Sequence, residues 1–302
     1  MKTPQTEEFR LQKHRVSFLY DRKEAAAIDC DTHLRIANKG LKRLLKVNPD
    51  LKDYRDLFSV QSKEIERSTL HKDENEQLAE RLRKFMHNSI VPFFMLNDCH
   101  ETLEYLIYKY QVHTYQTNDF LCALLPYHET RLFARALQVV TNLDANLWGW
   151  LEPYKKEGVP VPKERILAVL SSKQKLPLVA ILGDKLIEMN RDSRRAGIYT
   201  SFYTTTMMCV LDRDLDERFF VVFMPHVYKA IKKSNNPNLF MGGLVLIGYL
   251  AYTQDLDKSY LDKIMDRLTK THAKLREKEE FNRDLLDEYY TKVMTIIKRN
   301  QR

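Results

Sequence analysis

Residues 125–131 read Leu-Pro-Tyr-His-Glu-Thr-Arg and bring a phenol, an imidazole and a carboxylate together at Tyr127, His128 and Glu129, with guanidiniums at Arg131 and Arg135. An imidazole beside a carboxylate can relay a proton or hold a metal. The spacing speaks against both. A zinc helix of the His-Glu-x-x-His type needs a second histidine where Leu132 stands. No glycine-rich phosphate loop, Gly-x-Ser-x-Gly elbow or nucleophile-and-base spacing of Cys and His occurs along the chain. His113 and His128 bracket the apolar run from Phe120 without a carboxylate pattern, and they read as structural. Cys30, Cys99, Cys122 and Cys209 lie far apart with no Cys-x-x-Cys pair, which suggests neither a zinc site nor a disulfide framework and fits a reducing compartment. The chain is therefore expected to be no enzyme and to use no cofactor, metal or small-molecule substrate. What remains for Tyr127, His128, Glu129, Arg131 and Arg135 is binding. They form either an inter-helix cluster of hydrogen bonds and ion pairs or a docking patch for a partner, a role that exposed Arg and Tyr suit.

A second kind of chemistry is electrostatic. Arg35, Lys39, Lys42, Arg43 and Lys46 recur opposite the apolar stripe Leu34, Ala37, Leu41, Leu44 and Leu45, so a helix over about 31–46 would show a basic ridge. Cations in such a row can meet successive phosphates of a folded RNA, displacing counterions as they bind. Lys263, Arg267, Lys270, Lys274 and Lys278 repeat the arrangement, diluted by Asp262, Asp266 and Glu277. Any solvated helix face can carry the same pattern, so both readings stand. No aromatic residues interleave with the cations, and base stacking on a single strand is not indicated. The net charge of +8 permits phosphate-rich partners without requiring them.

The elements that must position these residues are helices. With 44% hydrophobic and 30% charged residues the chain should fold, and with only 8 Gly, 10 Pro and little alternation of apolar and polar residues it should do so without strands. Residues 1–17 read as a mobile basic lead-in with no apolar leader segment, and Asp21 with Glu24 has the form of a helix cap before the alanines 25–27. After a polar connector holding Phe58 and Ile65, Leu78, Leu82, Phe85 and Met86 mark a helix until Pro92 interrupts, and Leu103, Leu106, Ile107 and Tyr110 mark the next. Pro126 should start a new helix in which Leu132, Phe133, Ala136, Leu137 and Val140 form the apolar stripe, and residues 148–162 should be a loop whose Trp148 and Trp150 are packed. Beyond residue 163, helical patterns begin near Leu176, Leu215 and Leu256, with companions near Arg195 and Pro237. A helix pair thus recurs after about 40 residues, the period of HEAT-type repeats. Pro225 falls inside one of these helices. From Asp257 onward there is no Gly or Pro, and the residues fit one long helix or two with a turn near Glu279. The apolar run 239–252 is too short to span a bilayer and reads as a buried helix.

The string 125–131, together with Lys23-Glu24-Ala25-Ala26-Ala27-Ile28-Asp29 upstream and Trp148-Gly149-Trp150-Leu151 and Gly158-Val159-Pro160 downstream, resembles the amino-terminal region of the large HEAT-repeat subunit of the small-subunit processome. The likeness is clear over residues 18–160 and continues through 163–302 as helical-repeat character, so residues 18–302 are expected to form one all-α, right-handed HEAT-like solenoid. The resemblance implies a nucleolar, non-catalytic scaffold in small ribosomal subunit biogenesis. It further implies binding to WD-repeat subunits of the early processome subcomplex, with pre-rRNA and small nucleolar RNA as possible further partners and no membrane association. An alternative from the fold class alone is a HEAT-type transport or trafficking adaptor that binds peptide segments in its groove.

Overall fold

The computed structural model describes residues 28–232, 235–254, 256–277 and 282–300. The lead-in, the Asp21 cap and the alanine run lie outside the described residues, as do Lys278 and the turn expected near Glu279. Every regular element among the described residues is a helix. The chain divides into two compact units. One is built from Met1–Leu121, Thr130–Asn142 and Tyr154–Pro160, the other from Cys122–Glu129, Leu143–Pro153 and Val161–Arg302.

In the first unit, α1 (Cys30–Val47) packs on α3 (Asn97–Tyr110), and α2 (Lys72–Phe93) lies beside α3. Asp29 opens α1 by accepting the Thr32 N–H at 2.7 Å, which satisfies one of the unpaired donors of the first turn. Of the expected stripe, Leu34, Ala37, Leu41 and Leu44 are then buried, while Leu45 is half-buried. Gly40 allows the close approach. A β-carbon there would stand 2.6 Å from the Asp98 carbonyl oxygen and 2.8 Å from the Glu101 Cβ.

Helix α2 does not stop before Pro92 but carries it one residue from its end. Proline lacks the N–H that would bond the Asn88 carbonyl four residues back. Asn48, the residue that ends α1, supplies the missing donor: its Nδ2 reaches the Asn88 oxygen at 3.0 Å. The expected polar connector is in fact folded, as 3₁₀ turns over Pro49–Phe58 and Gln61–Glu64 that bury Leu51, Leu57 and Phe58. Phe58 lies against Phe85 and Tyr105 with ring centroids 5.2 and 5.7 Å away. Gln111, at φ 48°, breaks α3 from the short α4 (Val112–Tyr115).

Helices α5 (Thr117–Leu124) and α7 (Glu152–Glu157) each contribute residues to both units. The new helix expected after Pro126 begins later, as α6 (Arg131–Val139). Pro126 sits in a 3₁₀ turn, Leu125–Tyr127, and Thr130 caps α6 by accepting the Phe133 N–H at 3.1 Å. Residues 148–162 are likewise more ordered than a loop, with a 3₁₀ turn at Gly149–Leu151 leading into α7. Trp148 and Trp150 are both buried, as their size demands.

In the second unit α8 (Lys163–Leu170) packs on α9 (Leu176–Asp192) and α10 (Gly197–Leu211). The pairs α9/α10, α11 (Glu217–Lys232)/α12 (Pro237–Thr253) and α13 (Lys258–Arg276)/α14 (Arg283–Asn300) follow. Within the unit, α9, α11 and α13 adjoin in one layer, and α10, α12 and α14 adjoin in a second. First-layer helices start at Leu176, Glu217 and Lys258, a period of about 40 residues. The fold is an all-α helical-repeat architecture. The final segment is two helices rather than one. Pro225 lies inside α11, which remains continuous. No single helix among the described residues is long and apolar enough to cross a membrane.

Two contacts show how the first layer is locked. His226 of α11 presses its ring into α9 at Gly183, where a β-carbon would stand 2.4 Å from the ring, and its Nε2 meets the Asp184 carboxylate at 3.1 Å. Thr271 of α13 donates its hydroxyl to the Ile231 carbonyl at the end of α11 at 2.7 Å.

Candidate interaction surfaces

Helix α1 carries Arg35, Lys39, Lys42, Arg43 and Lys46 on the side away from its buried stripe. Four of them, Arg35, Lys39, Lys42 and Lys46, are exposed. Arg43 is withdrawn: its Nη1 donates to Asp98 at 2.8 Å, and this hydrogen bond raises the guanidinium pKa above its ordinary value. The helix's only acid, Asp31, is engaged by Lys63 at 2.5 Å. The ridge expected from spacing is therefore an unbroken row of four cations, with the fifth serving the contact between α1 and α3.

The second basic set is weaker. Lys263 and Lys274 are exposed and Arg267 is half-buried, while Lys270 is paired with Asp266 one turn away at 2.7 Å. Arg276 and His272 of the same helix both engage Asp287 of α14, at 3.1 and 2.6 Å, so part of its charge is spent joining the pair.

The residues Tyr127, His128, Glu129, Arg131 and Arg135 separate by role. His128 is buried, and its Nδ1 lies 2.7 Å from the Val161 carbonyl oxygen. The Val161 N–H returns a bond to the His128 carbonyl at 2.8 Å, so the imidazole fixes a crossing of two chain segments within the second unit. Tyr127 and Arg135 are half-buried. Glu129 and Arg131 are exposed, the first on the second unit and the second on the first.

One surface is not apparent from spacing alone. Helices α10 and α12 contain no Asp, Glu, Lys or Arg at all. Their outer positions show Ile198, Ser201, Thr205 and Tyr252 exposed, with Phe202, Met241 and Val245 half-buried. The signal is legible as two charge-free helices at consecutive second-layer positions, whereas the run 239–252 taken by itself reads entirely as core. No group of three or more His, Cys, Asp or Glu side chains among the described residues is placed to hold a metal ion. No disulfide joins the four cysteines, and burial pushes the Cys99 thiol pKa well up, away from a reactive thiolate.

Comparison with known proteins sets these surfaces in context. No protein-family model matches the chain. It is 28% identical to human HEAT repeat-containing protein 1 over 282 residues, 90% of this chain and 13% of that protein. It is 27% identical to the Caenorhabditis elegans homolog of that protein over 281 residues, 87% of this chain and 16% of the relative. To U3 small nucleolar RNA-associated protein 10 of Aspergillus oryzae it is 26% identical over 294 residues, again 90% of this chain and 16% of the relative. The chain thus resembles these HEAT-repeat proteins along nearly all of its own length while spanning 13 to 16% of theirs.

Proposed function

We propose that this chain is a non-catalytic scaffold segment in small ribosomal subunit biogenesis, acting in the nucleolus. The observation that carries the reading is its similarity, over 90% of its residues, both to a HEAT repeat-containing protein and to a protein named for association with a small nucleolar RNA. The architecture supports it, because stacked helix pairs present extended surface in proportion to their length and suit holding partners together. In this reading the chain supports pre-rRNA transcription and processing by binding WD-repeat subunits of the early processome subcomplex. Exposed Glu129 and Arg131 serve as protein contacts, each on its own unit, and Arg35, Lys39, Lys42 and Lys46 face pre-rRNA or small nucleolar RNA.

A second reading, a transport or trafficking adaptor, is favoured by the uncharged outer face of α10 and α12, which would suit apolar segments of a cargo protein. Affinity purification of the tagged chain from nucleolar extract, followed by mass spectrometry and RNA sequencing, separates the two. Recovery of WD-repeat processome subunits and 5′ pre-ribosomal RNA is the expected result. Recovery of transport cargo or coat proteins without ribosomal precursors would overturn the scaffold reading.

A further inference from the structure

The charges of α1 are sorted by the fold. Its one acid is held by Lys63 and one of its five cations by Asp98, which leaves Arg35, Lys39, Lys42 and Lys46 exposed and without an ion pair among the described residues. At 3.6 residues per turn these four fall within a strip about 60° wide. With a rise of 1.5 Å per residue, the strip runs roughly 16 Å and sets successive cations about 4.5 to 6 Å apart. Its geometry is fixed from behind. Leu34, Ala37, Leu41 and Leu44 are buried, and Gly40 lies so close to α3 that the helix cannot turn without clashing. Such a row of like charges repels itself in the free protein, is screened in part by dissolved counterions, and is relieved further by an array of anions held against it.

We infer that this strip is a contact for the phosphate backbone of double-stranded RNA, read by charge and shape and not by base sequence. The inference rests on the scaffold reading above and specifies what its RNA contact recognises. Three features favour a duplex. Helix α1 contains no Phe, Tyr or Trp, so a single strand would find no such ring on it to stack on. A rigid row of cations meets the rigid phosphate array of a duplex without the ordering cost that a flexible strand brings. Helix α1 also exposes no aromatic side chain and, of large apolar ones, only Val47 at its end, which leaves it little of the anchor that carries most protein–protein interfaces and disfavours an acidic protein as its partner.

The test is binding of the purified chain to an RNA duplex of about 20 base pairs and to a single strand of the same length, each titrated with salt. Four phosphate contacts predict that log K falls with log salt at a slope of about −3 to −4, a loss of roughly 100-fold between 50 and 200 mM. The duplex should bind tighter than the single strand. R35Q/K39Q/K42Q should flatten the slope to about −1 with the far-ultraviolet circular dichroism unchanged, because each contact removed takes away about 0.9 of slope. K263Q/K274Q on α13 should bind like the parent chain. An unchanged slope in the triple variant, tighter binding to the single strand, no measurable binding, or displacement by polyglutamate as efficient as by duplex would overturn the inference. Loss of duplex binding in a chain that still recovers processome subunits would remove only the RNA contact. Duplex binding by a chain that recovers no ribosomal precursor would remove only the scaffold.

Discussion

Asn48 and Pro92 show how one residue can supply the hydrogen-bond donor that another withholds. Pro92 leaves the Asn88 carbonyl without its helical donor, and the Asn48 amide fills the gap at 3.0 Å in a buried position. Asn48→Ala should lower unfolding stability by roughly 0.5–1.5 kcal/mol, the cost of a lost buried hydrogen bond. The same substitution in a Pro92→Ala background should cost less, because replacing the proline restores a backbone N–H to the Asn88 oxygen. Denaturant unfolding of the four-member cycle checks this, and strict additivity would contradict it. His100 gives a pH signature. Burial lowers its pKa below the ordinary 6.5, with Nε2 lying 2.5 Å from the Phe94 carbonyl oxygen. The unfolded chain therefore binds a proton that the folded chain resists, so the stability this histidine contributes is present above pH about 6.5 and falls as pH drops toward the folded-state pKa. His100→Gln should flatten that part of the stability profile between pH 7 and about 5 in denaturant titrations. Neither the Asn48–Asn88 nor the Arg43–Asp98 contact could be read from spacing, since the first pair is 40 residues apart and the second 55.

At the scale of elements, Gly40 and Gly183 each permit a close helix contact. Gly40→Ala would drive a β-carbon into the Asp98 backbone oxygen, and Gly183→Ala would drive one into the His226 ring. Each should destabilise the chain by about 1–3 kcal/mol despite the better helix propensity of alanine, as overpacking does. Thermal unfolding of the two variants checks this, and a raised midpoint in either would mean that the helices can separate at little cost. Helix α1 was legible in the sequence to within a residue at each end, because Leu34, Ala37, Leu41, Leu44 and Leu45 form one stripe ended by Asn48-Pro49-Asp50. The start of α6 was not, because Pro126 supplies a break that the chain uses for a 3₁₀ turn while Thr130, four residues on, supplies the cap. Asp216 and Asp257 displaced the starts of α11 and α13 in the same way, since each carboxylate accepts an N–H of the first turn and the helix begins after it. The 3₁₀ segment Pro49–Phe58 was hidden for another reason: a period near three leaves no stripe at helical spacing.

For the molecule as a whole, the repeat of about 40 residues was the most legible feature, because first-layer helices must each present a buried face at the same interval for the layers to stack. The basic ridge was legible as a pattern but not as a set of free charges, since only the packed structure shows that Asp98 takes Arg43 and Lys63 takes Asp31. The uncharged face of α10 and α12 is present in the sequence yet reads there as core, because apolarity alone does not distinguish a helix buried all round from one with an open side. If the chain is the scaffold proposed above, it acts by occupancy, and its loss should be felt in the product of the assembly. The most direct measurement is depletion of the protein in cells that carry it, with pulse-labelling of ribosomal RNA. The scaffold account predicts accumulation of unprocessed small-subunit precursor and loss of mature small-subunit RNA, with large-subunit RNA largely spared. Normal maturation of the small-subunit RNA under full depletion would contradict it.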